Sequence, residues 1–186
     1  GVGASPRRDG IISPGAVGYD INCGVRLLRT DLTAADLAAV APELTDALAT
    51  NIPAGVGGGG VLSVDGSTLE EILTMGVQWA VDAEYATVAD QQHCEDGGTH
   101  PAAEASAVSA AAKDRGRSQV GSLGSGNHFL EVQVVDEVFD SAAAERFGLA
   151  ADQVVVMIHC GSRGLGHQVC QDYLDAIADD PAAVAD

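Results

Sequence analysis

Lysine is almost missing from this sequence. Lys113 is the only one among 186 residues, and nine basic side chains in all face 27 acidic ones, for a formal net charge of −18. A surface with that balance repels nucleic-acid backbones and membranes in dilute buffer. It also fits adaptation to molar salt, where the Debye length falls to about 3 Å and self-repulsion is screened. Abundant alanine and acidic residues spread along the chain favour the second reading. Long apolar runs are missing too: none approaches the roughly 20 residues that cross a bilayer, and no signal-peptide pattern opens the chain. A soluble, cytoplasmic protein with no membrane partner is expected. Cysteine is limited to Cys23, Cys94, Cys160 and Cys170, too few and too scattered for a disulfide scaffold, and no CxxC spacing points to a zinc finger. Reduced thiols are the default, which leaves Cys23 available as a thiolate. There is no internal repeat, and with no starting Met a piece of a longer protein is expected.

Glycine-rich loops separate the elements that can be read. The pattern predicts loop over 1–24, including Arg7 and Arg8, then a short strand over 24–29. A helix over 34–48 would be capped by Thr33 and carry Leu37, Val40, Leu44 and Leu48, with Pro42 expected to kink or split it. Residues 51–60 read as a mobile glycine loop. Ser67 or Thr68 starts a second helix over 69–73, and 76–89 reads as a longer one. Polar coil over 91–101 holds His93, Cys94 and His100, and a helix over 102–115 is expected to stop at Gly116. Strand candidates lie at 129–135 and, more strongly, at 153–159, with a last helix over 165–179 ending before Pro181. Strands and separated helices without strict alternation support α+β or α/β. The assignment is α+β, mixed sheets with packed helices.

Three segments carry chemistry. In Ser13-Pro14-Gly15-Ala16-Val17-Gly18-Tyr19-Asp20-Ile21-Asn22-Cys23-Gly24, a carboxylate and a thiol stand three residues apart among glycines that leave them uncrowded. Such a pair can hold a metal; equally, Asp20 can bond turn amides while Cys23 is buried as a small hydrophobe. His128 follows Gly121-Ser122-Leu123-Gly124-Ser125-Gly126-Asn127 at the mouth of a strand, as a ligand or as a satisfied core histidine. Asn127 adds a planar amide that could hold a phosphate or a base edge. The glycine loop lacks a Walker lysine and leads into a strand, which argues against a dinucleotide fingerprint. His159 ends the best strand, where ligand sites in sheet proteins tend to lie. Arg163 beyond it can fork onto a phosphate or cap a neighbouring carbonyl. His167, Cys160 and Cys170 read as structural, His93 and His100 as exposed, and Trp79 as a core anchor. Lys113, Arg115 and Arg117 suit a solvated helix end or, alternatively, phosphate contact.

Taken together these segments resemble the RtcB family of RNA-splicing ligases. The matching pieces are Ser13 to Arg26, Gln119 to Gln133 and Met157-Ile158-His159-Cys160-Gly161-Ser162-Arg163-Gly164-Leu165-Gly166-His167-Gln168, with Ile52-Pro53-Ala54-Gly55-Val56 and Arg115-Gly116 between them. The resemblance covers nearly the whole chain in the family's order. It implies an RtcB-like fold and the joining of RNA ending in a 2′,3′-cyclic phosphate or 3′-phosphate to RNA with a 5′-hydroxyl. GTP, two Mn2+ ions and a histidine–GMP intermediate would serve that reaction. Asp20, Cys23 and His128 would hold one ion, and Cys23 and His159 the other, with the thiolate bridging. Asn127, His128, Phe129, Leu130 and Glu131 would form part of the GMP site, and Arg163 a contact to RNA phosphate. Softness rules alone would suggest zinc or iron, so manganese is implied by the resemblance. It further implies RNA partners (transfer-RNA halves or broken RNA) and an archease-type activating protein. Family enzymes are longer, and no histidine follows His167. Residues 1–186 are therefore expected to be a partial catalytic domain that holds metal and GMP but lacks the nucleophilic histidine, and to form no covalent guanylate alone. The alternatives are a metal-dependent RNA 3′-end-processing enzyme on the same scaffold, or a non-catalytic fragment.

Overall fold

The computed structural model describes residues 14–57 and 59–179. Arg7, Arg8, Ser13 and Pro181 therefore lie outside the described residues. Strands β1 (Gly24–Thr33), β2 (Phe129–Val134) and β3 (Gln153–Cys160) form an antiparallel sheet in the order β1-β3-β2. With its helices this makes the α+β class read from the sequence. Strand β3, central and most apolar, is flanked on both sides, and Val154 and Val155 are only 2% and 3% exposed. The register sets Val25 opposite His159 and His159 opposite Phe129, so these three residues form one row across the sheet. Strand β1 runs past the 24–29 expected, continuing through an irregularity between Arg29 and Thr33. There Thr30 Oγ1 donates to the Val154 carbonyl at 2.6 Å.

Helix α1 (Ala34–Asn51) starts as expected. Thr33 accepts from the Asp36 amide while the Asp36 carboxylate takes the Thr33 N–H at 2.9 Å, a reciprocal capping box worth about 0.5–2 kcal/mol. The helix is not split at Pro42 but continues to Asn51. Pro42 removes one N–H, and the alanines and leucines on either side are strong helix formers that carry the element across it. Helix α2 (Gly66–Met75) is capped by Asp65, earlier than Ser67 or Thr68, because its carboxylate accepts from both the Ser67 hydroxyl and the Thr68 amide.

The long helix expected over 76–89 is two short ones, α3 (Val77–Asp82) and α4 (Val88–Gln92). Glu84 adopts φ 62 and ends the first, and a Thr87–Asp90 capping box begins the second. Gly76 lies so close to the Gly98 carbonyl that a Cβ there would come within 2.2 Å of its oxygen. The helix expected over 102–115 is α5 (Ala110–Arg117), capped by Ser109 and preceded by one 3-10 turn at Ala105–Ala107. Gly116 does not stop it. It sits inside the helix because a Cβ would meet the Leu165 side chain at 2.7 Å, so α5 and α7 (Arg163–Asp179) approach closely at that point. Helix α6 (Ser141–Phe147) has no counterpart in the sequence reading. Asp140 caps it with bonds to the Ala142 and Ala143 amides, and Gly148 at φ 65 closes it. The 51–60 loop is tied down at Gly55, whose N–H donates to the Gly124 carbonyl at 2.7 Å, and at Gly60, bonded to the Ser118 carbonyl at 2.8 Å. Trp79 is half-buried and stacked on Tyr85 rather than set in the core. Among the described residues the buried apolar core holds Leu69, Ala112, Val154, Val155 and Cys170. By contrast Val25, Leu27, Leu28 and Leu32 of β1 are each roughly half exposed.

Candidate metal centre

Four side chains from three parts of the chain meet at one end of the sheet. The turn before β1, with Asn22 at φ 65, presents Asp20 and Cys23. The glycine loop before β2 presents His128, and the end of β3 presents His159. The Asp20 carboxylate is aimed from both sides. Its Oδ1 accepts from the Ser162 amide at 3.0 Å and the Ser162 hydroxyl at 3.2 Å, while Oδ2 lies 2.5 Å from His128 Nε2. The Ser162 hydroxyl has a single proton and shares it between Asp20 and the Ile21 carbonyl. Gly161 is required beside it, because a Cβ would come within 2.2 Å of Oδ2 and 2.3 Å of Oδ1.

Cys23 Sγ lies 2.7 Å from His159 Nε2 and 3.7 Å from His128 Nε2, so one thiol faces two imidazoles. The Asp20, Cys23 and His128 donor atoms all fall within 4.8 Å of one another. His159 reaches the set through Cys23. Its ring is steadied by edge contacts to Phe129 at 5.4 Å and to His128 at 5.6 Å between centroids. The His128 side chain is only 6% exposed, and its Nδ1 is buried with no hydrogen-bond partner among the described residues. Gly124 at φ 108 leaves room for it, since a Cβ would come 2.3 Å from that nitrogen and 2.6 Å from Arg163 Nη1.

Burial alone would raise the Asp20 carboxyl, but hydrogen bonds from Cys23, His128 and Ser162 outweigh it and hold the group below the usual carboxylate range. For Cys23 the effects add. Partial desolvation, then the bond to Asp20 and that carboxylate's charge, push the thiol above its ordinary value. A carboxylate, a thiol and an imidazole nitrogen packed this closely are a donor set suited to a divalent transition metal. A cation there would favour the thiolate and relieve its repulsion with Asp20.

The other expected residues divide. Asn127 and His128 line a cleft of about 280 Å³ beside the centre, together with Tyr19, Arg115, Arg163 and His167. Phe129 packs against His159, and Leu130, paired with Ile158, points to the opposite sheet face. Glu131 accepts from Gln133 at 2.6 Å. The run 127–131 thus does not converge on a single pocket. Arg163 caps a neighbouring carbonyl, one of the two roles expected of it, from a position beside the cleft. At φ 54 it donates to the Ser122 hydroxyl at 3.1 Å and to the Gly55 carbonyl at 3.0 Å. The basic cluster disperses: Lys113 pairs with Glu70 and Arg117 with Asp114, and only Arg115 faces the cleft.

His93 bonds the Ala89 carbonyl, and His100 accepts from the Ala102 amide and lines a separate cleft of about 820 Å³ with Arg26, Glu95 and Asp96. Cys160 donates to the Leu123 carbonyl at 2.9 Å, and Cys170 is buried, in keeping with structural roles. Sequence reasoning passed over Tyr19 and set His167 aside. The one signal for Tyr19 was its place beside Asp20.

The family model described as tRNA-splicing ligase RtcB matches residues 1–184. Similar curated proteins, each named tRNA-splicing ligase RtcB, come from Archaeoglobus fulgidus (51% identical, 95% of this chain and 37% of the relative) and Thermococcus kodakarensis (52%, 94% and 36%). The protein of that name from Methanococcus maripaludis is likewise 52% identical over 94% of this chain and 36% of its own length. The chain thus spans little more than a third of the length of these relatives. Resemblance, motifs and matched length agree, and the chain belongs to the RtcB family of tRNA-splicing ligases.

Proposed function

We propose that these 186 residues are the metal-holding part of an RNA ligase that joins 3′-phosphate or 2′,3′-cyclic phosphate ends to 5′-hydroxyl ends. The family supports ligation, and the name its relatives carry ties it to transfer-RNA splicing. The observation that carries the reading is the Cys23 thiol facing both His128 and His159, with Asp20 closing one side. Asp20, Cys23 and His128 would hold one Mn2+, and Cys23 with His159 a second. Bound there, the ions supply Lewis-acid stabilisation of charge on a terminal phosphate.

The chain's own residues do the rest. Ser162 fixes the Asp20 carboxylate, and Gly161 and Gly124 leave the space in which carboxylate and imidazole can meet. Arg163 and Arg115 bring positive charge to the cleft at Asp20 and His128, where an anionic RNA end would enter. Asn127 and His128 form one wall of that cleft and would contact the guanylate of GTP, with Phe129, Leu130 and Glu131 contributing through the strand behind. In this reading the guanylylated histidine is supplied by polypeptide outside these residues, and an archease-type protein assists turnover. A free thiol at the centre suits the reducing cytoplasm.

The acidic composition supports the reading that this work is done in molar salt. The described residues hold only two ion pairs from Lys or Arg, so most acidic groups go uncompensated and depend on screening. At high salt counterion release contributes little to RNA affinity, and metal–phosphate and short-range contacts within one cleft take over. Mn2+ titration by calorimetry tests the reading. The native chain should bind the ion and Cys23→Ser should lose most of that affinity, whereas equal binding by both would reject the assignment.

A further inference from the structure

The cleft beside the metal donors holds a feature that metal binding does not use. Tyr19 and His167 stack with ring centroids 4.7 Å apart and 29° between their planes, and both line the cleft that Asp20 and His128 also line. Helix α7 fixes the pair. The Tyr19 hydroxyl donates to Gln171 Oε1 at 3.3 Å, and Arg115, 3.5 Å from His167 Nδ1, is itself anchored on Gln168 Oε1 at 2.8 Å. The rings are held in orientation yet open, since Tyr19 is 41% exposed and His167 is exposed. An inorganic phosphate would need the arginines but not an aromatic stack. A nucleotide needs both, because every base has a face that stacks on an aromatic ring while its phosphate seeks cations.

Resting on the ligase reading above, we infer that Tyr19 and His167 form a stacking platform for the last base of an RNA whose terminal phosphate points to Asp20 and His128. Stacking on a ring reads no base edge, so such a platform would accept any base, as an enzyme that joins diverse ends requires. The cleft's open mouth lets the rest of an RNA strand leave past the ring pair, which assigns the platform side to a polymer end and leaves the Asn127 wall to GTP.

The test measures anisotropy of a short 3′-phosphorylated RNA with the whole 186-residue chain, Mn2+ and molar KCl. A companion RNA carries an abasic ribose at its last position. Tyr19→Leu should weaken binding of the complete RNA by about tenfold and leave the abasic RNA unchanged. Tyr19→Phe, which keeps the ring, should bind as the native chain does. Equal losses on both RNAs, no loss on either, or displacement by GTP of the complete RNA alone would overturn the platform while leaving the ligase reading in place. Absence of any metal-dependent RNA binding by the native chain would overturn the ligase reading and the platform with it.

Discussion

Replacing Gly161 with alanine should weaken Mn2+ binding at the proposed centre without unfolding the protein. The added Cβ would lie 2.2 Å from Asp20 Oδ2, and ordinary contact begins near 3.4 Å, so the carboxylate would have to withdraw by about 1.2 Å. A movement of that size opens the 3.0 Å bond from the Ser162 amide to about 4 Å, beyond hydrogen-bond range. It also misaligns Oδ2 against His128. The backbone at Gly161 is not in the left-handed region, so alanine itself is tolerated and the damage falls on Asp20. Changes that disturb the groups orienting a metal ligand cost about 10–100-fold in affinity, equivalent to about 1.4–2.7 kcal/mol. Calorimetric titration with Mn2+ measures the loss, and a thermal melt of the metal-free chain measures the fold. Gly24→Ala is the control, because nothing lies within 4 Å of a Cβ there although it adjoins Cys23. Mn2+ affinity for Gly161→Ala within twofold of native would refute the reasoning.

The thiol gives a pH test. Asp20 is held below the usual carboxylate range and stays ionised near neutral pH, whereas the raised Cys23 thiol would have to release its proton to solvent before it could ligate the proposed ion. Mn2+ affinity should therefore climb by about tenfold per pH unit below the thiol's titration range, and the slope should vanish in Cys23→Ser. Gly60→Ala should destabilise the fold by about 1–3 kcal/mol in a denaturant titration, since its Cβ would fall 1.7 Å from the Val120 carbonyl oxygen and neither backbone can yield cheaply. With a net charge of −18, the melting temperature should rise steeply between dilute buffer and molar KCl, and a salt-independent melt would contradict the salt-adapted reading.

Where a signal was local, the sequence displayed it. The Thr33 cap of α1, the apolar run of β3 and the histidines closing the glycine loop and β3 were all readable from neighbours a few positions apart. Elements set by distant partners were misread. Gly116 is inside α5 because Leu165 packs on it, and the 76–89 segment breaks where Glu84 turns left-handed and Gly76 meets Gly98. Helix α6 was a different failure, since Asp140 and Gly148 bracket it with ordinary cap chemistry that went unread. At the centre the motifs named Asp20, Cys23, His128 and His159, and the resemblance implied a Cys23 bridge between the two histidines, but neither gave the spacing of 3.7 Å and 2.7 Å from thiol to imidazoles. Nor could they show the pairing of Tyr19 with His167, which exists only once α7 docks beside the first turn.

The row Val25–His159–Phe129 has a consequence for how the protein can be monitored while it folds. Strand side chains alternate, so sliding β3 by one residue would turn His159 to the far side and offer Ile158 or Cys160 in its place. Such a chain would keep its strands, and spectroscopy of the backbone would pass it as native. It could not bring two imidazoles to one thiol. Uptake of the proposed ion would therefore act as a proofreader of strand alignment, reporting an error of a single position that bulk measures of secondary structure would miss.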